Sequence, residues 1–142
     1  MNSRDADVIA GLRCRLERAM AAFGVEVVID AREMPATGAR TMPALHFRAV
    51  GTDVEVFLFV EDALLIWVEV RGRGWRSSEL ADFRGDWLDT DEGRNWLVDL
   101  VAGRWTVQRR PRLAGRRQLR TVGGGPGLRV KPAAPRVGLD LS

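Results

Sequence analysis

The sequence predicts an α+β fold. It reads as an N-terminal helix, an antiparallel four- to five-stranded sheet laid out as a meander and covered by helices, and a basic C-terminal hairpin or tail. Three observations carry this. Apolar residues recur at helical spacing between Ile9 and Phe23. Three strand-length runs, "ALHFRAV", "VEVFLFV" and "LLIWVEV", follow one another with only "GTD" and "EDA" between them. Beyond Arg104 the chain turns basic and rich in glycine and proline.

Taken in order, Ile9, Leu12, Leu16, Met20 and Phe23 fall at steps of three and four, which is one face of an amphipathic helix. Ser3 or Asp5 starts that helix and Gly24 stops it, since glycine takes the left-handed cap readily. "VEVVID" from Val25 is a first short strand, and "AREMPATGARTMP" is a loop by its prolines and glycine. The three runs of the meander then alternate, and their short connections demand antiparallel neighbours. The second and third are apolar at nearly every position, so both faces of those strands are expected to be covered.

Ser77 or Ser78 reads as the cap of a helix from Glu79, with Leu80, Phe83 and Trp87 on one side and Gly85 weakening it. A further helix starts at Asp89 or Thr90 with acids in its first turn, where they meet the positive end of the helix dipole. Trp96, Leu97, Leu100 and Val101 form its apolar face, and Gly103 ends it. "RWTVQRRP" returns to alternation, and "RRQLRTV" can pair back on it as a hairpin through "PRLAG". From Gly123 the glycine- and proline-rich sequence shows no apolar period and reads as flexible. The expected organisation is a single domain over 1–110, followed by a basic arm over 111–142. This element order is similar to that of bacterial secretion-chaperone-like domains, over about Asp5 to Gln108 and in element order alone.

Charge is divided unevenly. Up to Gly103 there are 12 arginines against 18 acids, a balance of −6; from Arg104 onward nine arginines and Lys131 face Asp140 alone, a balance of +9. The sum is the net +3 of the chain. The stretch "RRPRLAGRRQLR" at the start of that tail supplies Arg109, Arg110, Arg112, Arg116, Arg117 and Arg120 with no acid among them. Arginine suits bidentate contacts to carboxylate or phosphate, although its dominance over lysine also fits a GC-rich coding bias. Arg73, Trp75 and Arg76 at the end of the meander form a second candidate contact, because a tryptophan flanked by arginines anchors interfaces or stacks on bases. The competing role for Trp75 is to cover the edge of the sheet.

Catalytic chemistry finds little support. His46 is the only histidine and Cys14 the only cysteine, which excludes zinc sites built from several imidazoles or thiolates and any internal disulfide. Cys14 lies opposite the apolar stripe of its helix, and no imidazole stands near it in sequence. The acids around Asp82, Asp86, Asp89, Asp91 and Glu92 do not meet the order of a calcium loop and serve better as helix-dipole partners. "GGGPG" lacks the Lys-Ser/Thr of a phosphate loop. No catalytic residue, metal or cofactor is therefore expected. The first functional expectation is a small non-enzymatic binding protein, an adaptor, chaperone-like or immunity-type partner docking on another protein through the cationic arm, within a larger assembly or a homo-oligomer. The alternative is an accessory nucleic-acid binder whose arm grips phosphates, and an enzyme resting on carboxylates and His46 comes third. With no apolar run near the roughly 18–20 residues needed to cross a bilayer, and no apolar core of a signal peptide, the expected place is the cytoplasm.

Overall fold

The computed structural model describes residues 3–35, 41–61, 65–77, 81–109 and 117–132. Its class is α+β, with two helices on one side of a large antiparallel sheet.

Helix α1 (Ser3–Ala22) buries Ile9, Leu12, Leu16 and Met20 of the predicted stripe, together with Ala19. Phe23 falls just outside the helix and is exposed, because the chain turns at Gly24, whose φ is +71°. There the Val25 N–H donates to the Met20 carbonyl and the Gly24 N–H to that of Ala21, the paired bonds of a Schellman cap. Helix α2 (Asp91–Ala102) begins at Thr90, whose hydroxyl accepts from the Gly93 N–H, and ends in the same cap at Gly103.

Nine strands form the sheet among the described residues, so the expected four to five are an undercount. They are β1 (Val27–Pro35), β2 (Thr41–Ala49), β3 (Glu55–Glu61), β4 (Leu65–Gly72), β5 (Trp75–Ser77), β6 (Ala81–Arg84), β7 (Trp105–Arg109), β8 (Arg117–Thr121) and β9 (Leu128–Pro132). The order is β1-β2-β3-β4-β5-β9-β8-β7, with β6 also beside β4. The meander β2-β3-β4 stands as read, and so does the β7–β8 hairpin.

Three departures enlarge the sheet. β1 runs on to Pro35 and β2 starts at Thr41, so most of the expected loop is a long strand pair. The helix expected from Glu79 is absent from its described part. Ala81–Arg84 pair with Leu65–Val68, and Gly85–Asp89 form a 3-10 turn. The Leu-Phe-Trp spacing gave only a short, glycine-broken helix, and hydrogen bonding to a neighbouring strand outweighs so weak a local preference. The segment expected to be flexible from Gly123 returns as β9 between β5 and β8. Arg117–Thr121 and Leu128–Pro132, assigned by sequence to an arm beyond 110, thus lie within the sheet.

Both helices pack on one face. Phe47, Val56, Leu58, Val68 and Val70 meet Leu12, Leu16 and Met20 of α1 and Trp96, Leu97 and Leu100 of α2, and Leu119 and Leu128 join the same cluster. Tryptophans tie the C-terminal strands to this core. The Trp96 indole N–H donates to the Pro126 carbonyl at 3.0 Å, and the Trp105 indole N–H to that of Leu100 at 3.2 Å. Among the described residues no helix is long and apolar enough to cross a membrane.

Candidate binding surface

Strand side chains alternate between faces, so the residues turned away from the helices follow from the register. On β1 to β4 this second face holds Asp30 and Arg32, His46 and Arg48, Glu55 and Phe57, then Glu69 and Arg71. Above them Met42, Ala44, Phe57 and Phe59 form a second apolar cluster, with Met34 and Trp67 packed against it. Trp67 packs against this smaller cluster and not against the helix-side core.

Charges on this half are matched to one another. Arg71 grips Glu69 with two nitrogens, at 3.1 and 3.3 Å, and lays its guanidinium over the Phe57 ring at 4.5 Å. On the other side of Phe57, His46 stacks almost parallel at 4.5 Å. The His46 Nδ1 lies 3.1 Å from Arg32 Nη2, and its Nε2 lies 3.5 Å from Glu55 Oε2. A guanidinium only donates, so Nδ1 must accept and the ring proton sits on Nε2, facing the carboxylate. Burial pushes the His46 pKa below its usual value; Glu55 opposes this, and Arg32 and Arg48 reinforce it. A neutral histidine whose Nδ1 meets Arg32 is a structural link between β1 and β2, while its buried Nε2, turned toward Glu55 of β3, makes no hydrogen bond among the described residues. No Ser or Cys nucleophile contacts it among the described residues.

The half made of β5, β9, β8 and β7 differs. The register puts Arg76, Arg129, Gln118, Arg120, Thr106 and Gln108 on the second face, with Gln118 between Arg129 and Gln108, Arg120 opposite Thr106, and Lys131 the β9 position paired with Arg76. No acid stands on this half of the face among the described residues. Arg76 and Arg120 are half-buried, and neither forms an ion pair among the described residues. The Arg76 Nε and the Gln118 Oε1 are buried without a hydrogen-bond partner among the described residues. Such groups are costly unless something satisfies them.

The predicted contact residues are only partly brought together. Arg76 and Arg120 share the second face. Arg117 is exposed but alternates with Leu119, placing it on the helix side. Arg109 sits in β7 opposite Arg117, and Arg110, Arg112 and Arg116 lie outside the described residues. Arg73 is in the β4–β5 turn, fully in solvent, 3.5 Å from Asp53, where an ion pair contributes little. Trp75 faces the helices, edge-on to Trp105 with ring centres 5.4 Å apart. It packs so closely on Gly72 that a Cβ there would come within 2.1 Å of the ring. Trp75 is therefore engaged in covering the core.

Arg129, Lys131 and Gln118 were missed by sequence reasoning. The signal for Arg129 and Lys131 was present in "LRVKP", where Leu128 and Val130 alternate with the two cations. Comparison with protein families, curated proteins and solved structures returned no match.

Proposed function

We propose that this chain is a non-enzymatic binding module, an adaptor or chaperone-like or immunity-type partner, that docks on an acidic protein surface. The contact is the basic half of the second face. One observation carries this reading. On β1 to β4 Asp30 pairs with Arg32 and Glu69 with Arg71, while Arg76 and Arg120 have no ion-pair partner among the described residues and the register places Arg129 on their face. Half-buried arginines with unused donors favour carboxylates, which accept two N–H bonds at once. Glu69 on Arg71 is an example of that geometry within the chain.

Nucleic acid is the second reading, since phosphate fits the same fork. Against base stacking stands the engagement of Trp75, Trp96 and Trp105 in internal contacts. Contacts to phosphate alone would be poorly sequence-specific.

The test compares the full chain with Arg76→Gln/Arg120→Gln, using a labelled polyglutamate peptide, a DNA duplex and an RNA strand over a salt series. The protein-docking reading expects peptide binding that the double variant weakens at least about tenfold, roughly 1.4 kcal/mol. Tighter binding to DNA or RNA, with a salt slope that drops by about one per arginine removed, establishes the second reading instead. Binding of all three probes unchanged by the substitutions removes this face from consideration.

A further inference from the structure

The two ends of the sheet are β1 and β7, and no described strand lies on the outer side of either. An open strand edge presents a row of N–H and C=O groups to any chain able to pair with it. Along β1 only Ile29 is buried, and Val28, Asp30, Ala31, Arg32 and Glu33 are exposed. Val28 is among the large apolar side chains most open to solvent, at 45 %.

We propose that β1 pairs antiparallel with β1 of a second copy of this chain, joining two sheets into one across a two-fold axis. The charge pattern selects this partner. Two copies keep their helices on the same side only if residues of like face meet, which restricts the pairing to alternate registers. The register with Ala31 opposite its own copy brings Asp30 against Arg32 of the second copy, and does so twice because of the symmetry. It also sets Val28 against Met34 of the second copy on the same face. The next permitted register on one side puts Asp30 on Asp30, and on the other puts Arg32 on Arg32. Like charges directly opposite are unfavourable, so one register stands out.

The opposite edge gives the contrast. β7 is entered through Arg104, carries Arg109 and leads to Arg110, with no acid, so two copies of it repel. Charged residues usually guard an edge against its own kind. An Asp-x-Arg edge does not, because it is complementary to itself under a two-fold axis. The dimer leaves the basic half of the second face free, at the far end of the sheet, and does not depend on how that half is used.

Pairing of single edges belongs at the small end of protein interfaces, below roughly 1,200 Å² and readily reversible. Sedimentation equilibrium over a wide concentration series is therefore the measurement. The unmodified chain is expected to show a monomer–dimer equilibrium. Asp30→Lys and Arg32→Glu each place two like-charge pairs in the interface, and each should raise the dissociation constant at least about tenfold. Asp30 and Arg32 are about half exposed, at 50 and 47 %, and because Arg32 also meets His46, circular dichroism and thermal melting check that each variant keeps the fold. In an equimolar mixture of the two variants, a mixed dimer again has opposite charges in both cross-strand pairs. The introduced lysine of one variant meets the introduced glutamate of the other, and the retained Arg32 meets the retained Asp30. That mixture should dimerise as the unmodified chain does. A chain that stays monomeric throughout, single variants that associate unchanged, or a mixture no tighter than its components each overturns the proposal.

Discussion

The second face of the sheet is organised around one aromatic ring. Phe57 is 2 % exposed and lies between His46 on β2 and Arg71 on β4, each 4.5 Å from its centre. A protonated His46 would direct an N–H at the Arg32 guanidinium, so the site favours the neutral ring on contact geometry as well as burial. With its pKa lowered by folding, His46 binds a proton more readily in the unfolded chain than in the folded one. Its contribution is thus complete above the unfolded value of about 6.5 and declines as pH falls from there through the lower folded value. Melting temperatures of the unmodified chain should drop between about pH 7.5 and 5, and His46→Gln should flatten that drop. A variant with the same pH slope as the parent would show that other groups set it. In the sequence His46 stands out only as the single histidine. Its partners were out of reach, since Arg32 and Glu55 meet it only through cross-strand pairing.

Elements were legible where one period ran long enough to stand apart. The stripe from Ile9 to Met20 and the face Trp96, Leu97, Leu100, Val101 gave both helices, and glycine gave both stops. The meander followed from strand-length runs and short connections. β6 and β9 were misread for opposite reasons. "ELADFRGDW" had helical spacing without the length to nucleate, and β4 captured Ala81–Arg84 of it as a strand. "LRVKP" had the right alternation inside a glycine- and proline-rich setting that suggested no packing at all. β5, only three residues long, depends on its turn. The close seat of Trp75 on Gly72 lets the ring reach Trp105. Gly72→Ala should push the indole off that position and destabilise the fold by about 1–3 kcal/mol in denaturant titration. A red shift of native tryptophan emission should accompany it. A loss under about 0.5 kcal/mol, the range of ordinary surface changes, would mean the ring has room to move.

At the scale of the whole molecule, periodicity reports which face a residue occupies but not which strand lies beside it. The tail therefore looked separable. Its arginines suggested an arm, and the charge division between −6 and +9 reinforced that impression. The topology places β9 between β5 and β8, so strands from the tail close the sheet against the meander. Leu119 and Leu128 are 0 and 1 % exposed, in the same cluster as the helices, and the Trp96 indole holds the connection between their strands. A chain ending at Gln108 would uncover that cluster and leave the edges of β5 and β7 unpaired, which invites aggregation. It should lose the cooperative thermal transition of the full chain and elute as aggregate in size-exclusion chromatography. An appended arm predicts the opposite, a truncated chain melting within a few degrees of the parent. For the same reason the basic surface has to be probed by substitution, with Arg76 and Arg120 changed in an otherwise complete sheet.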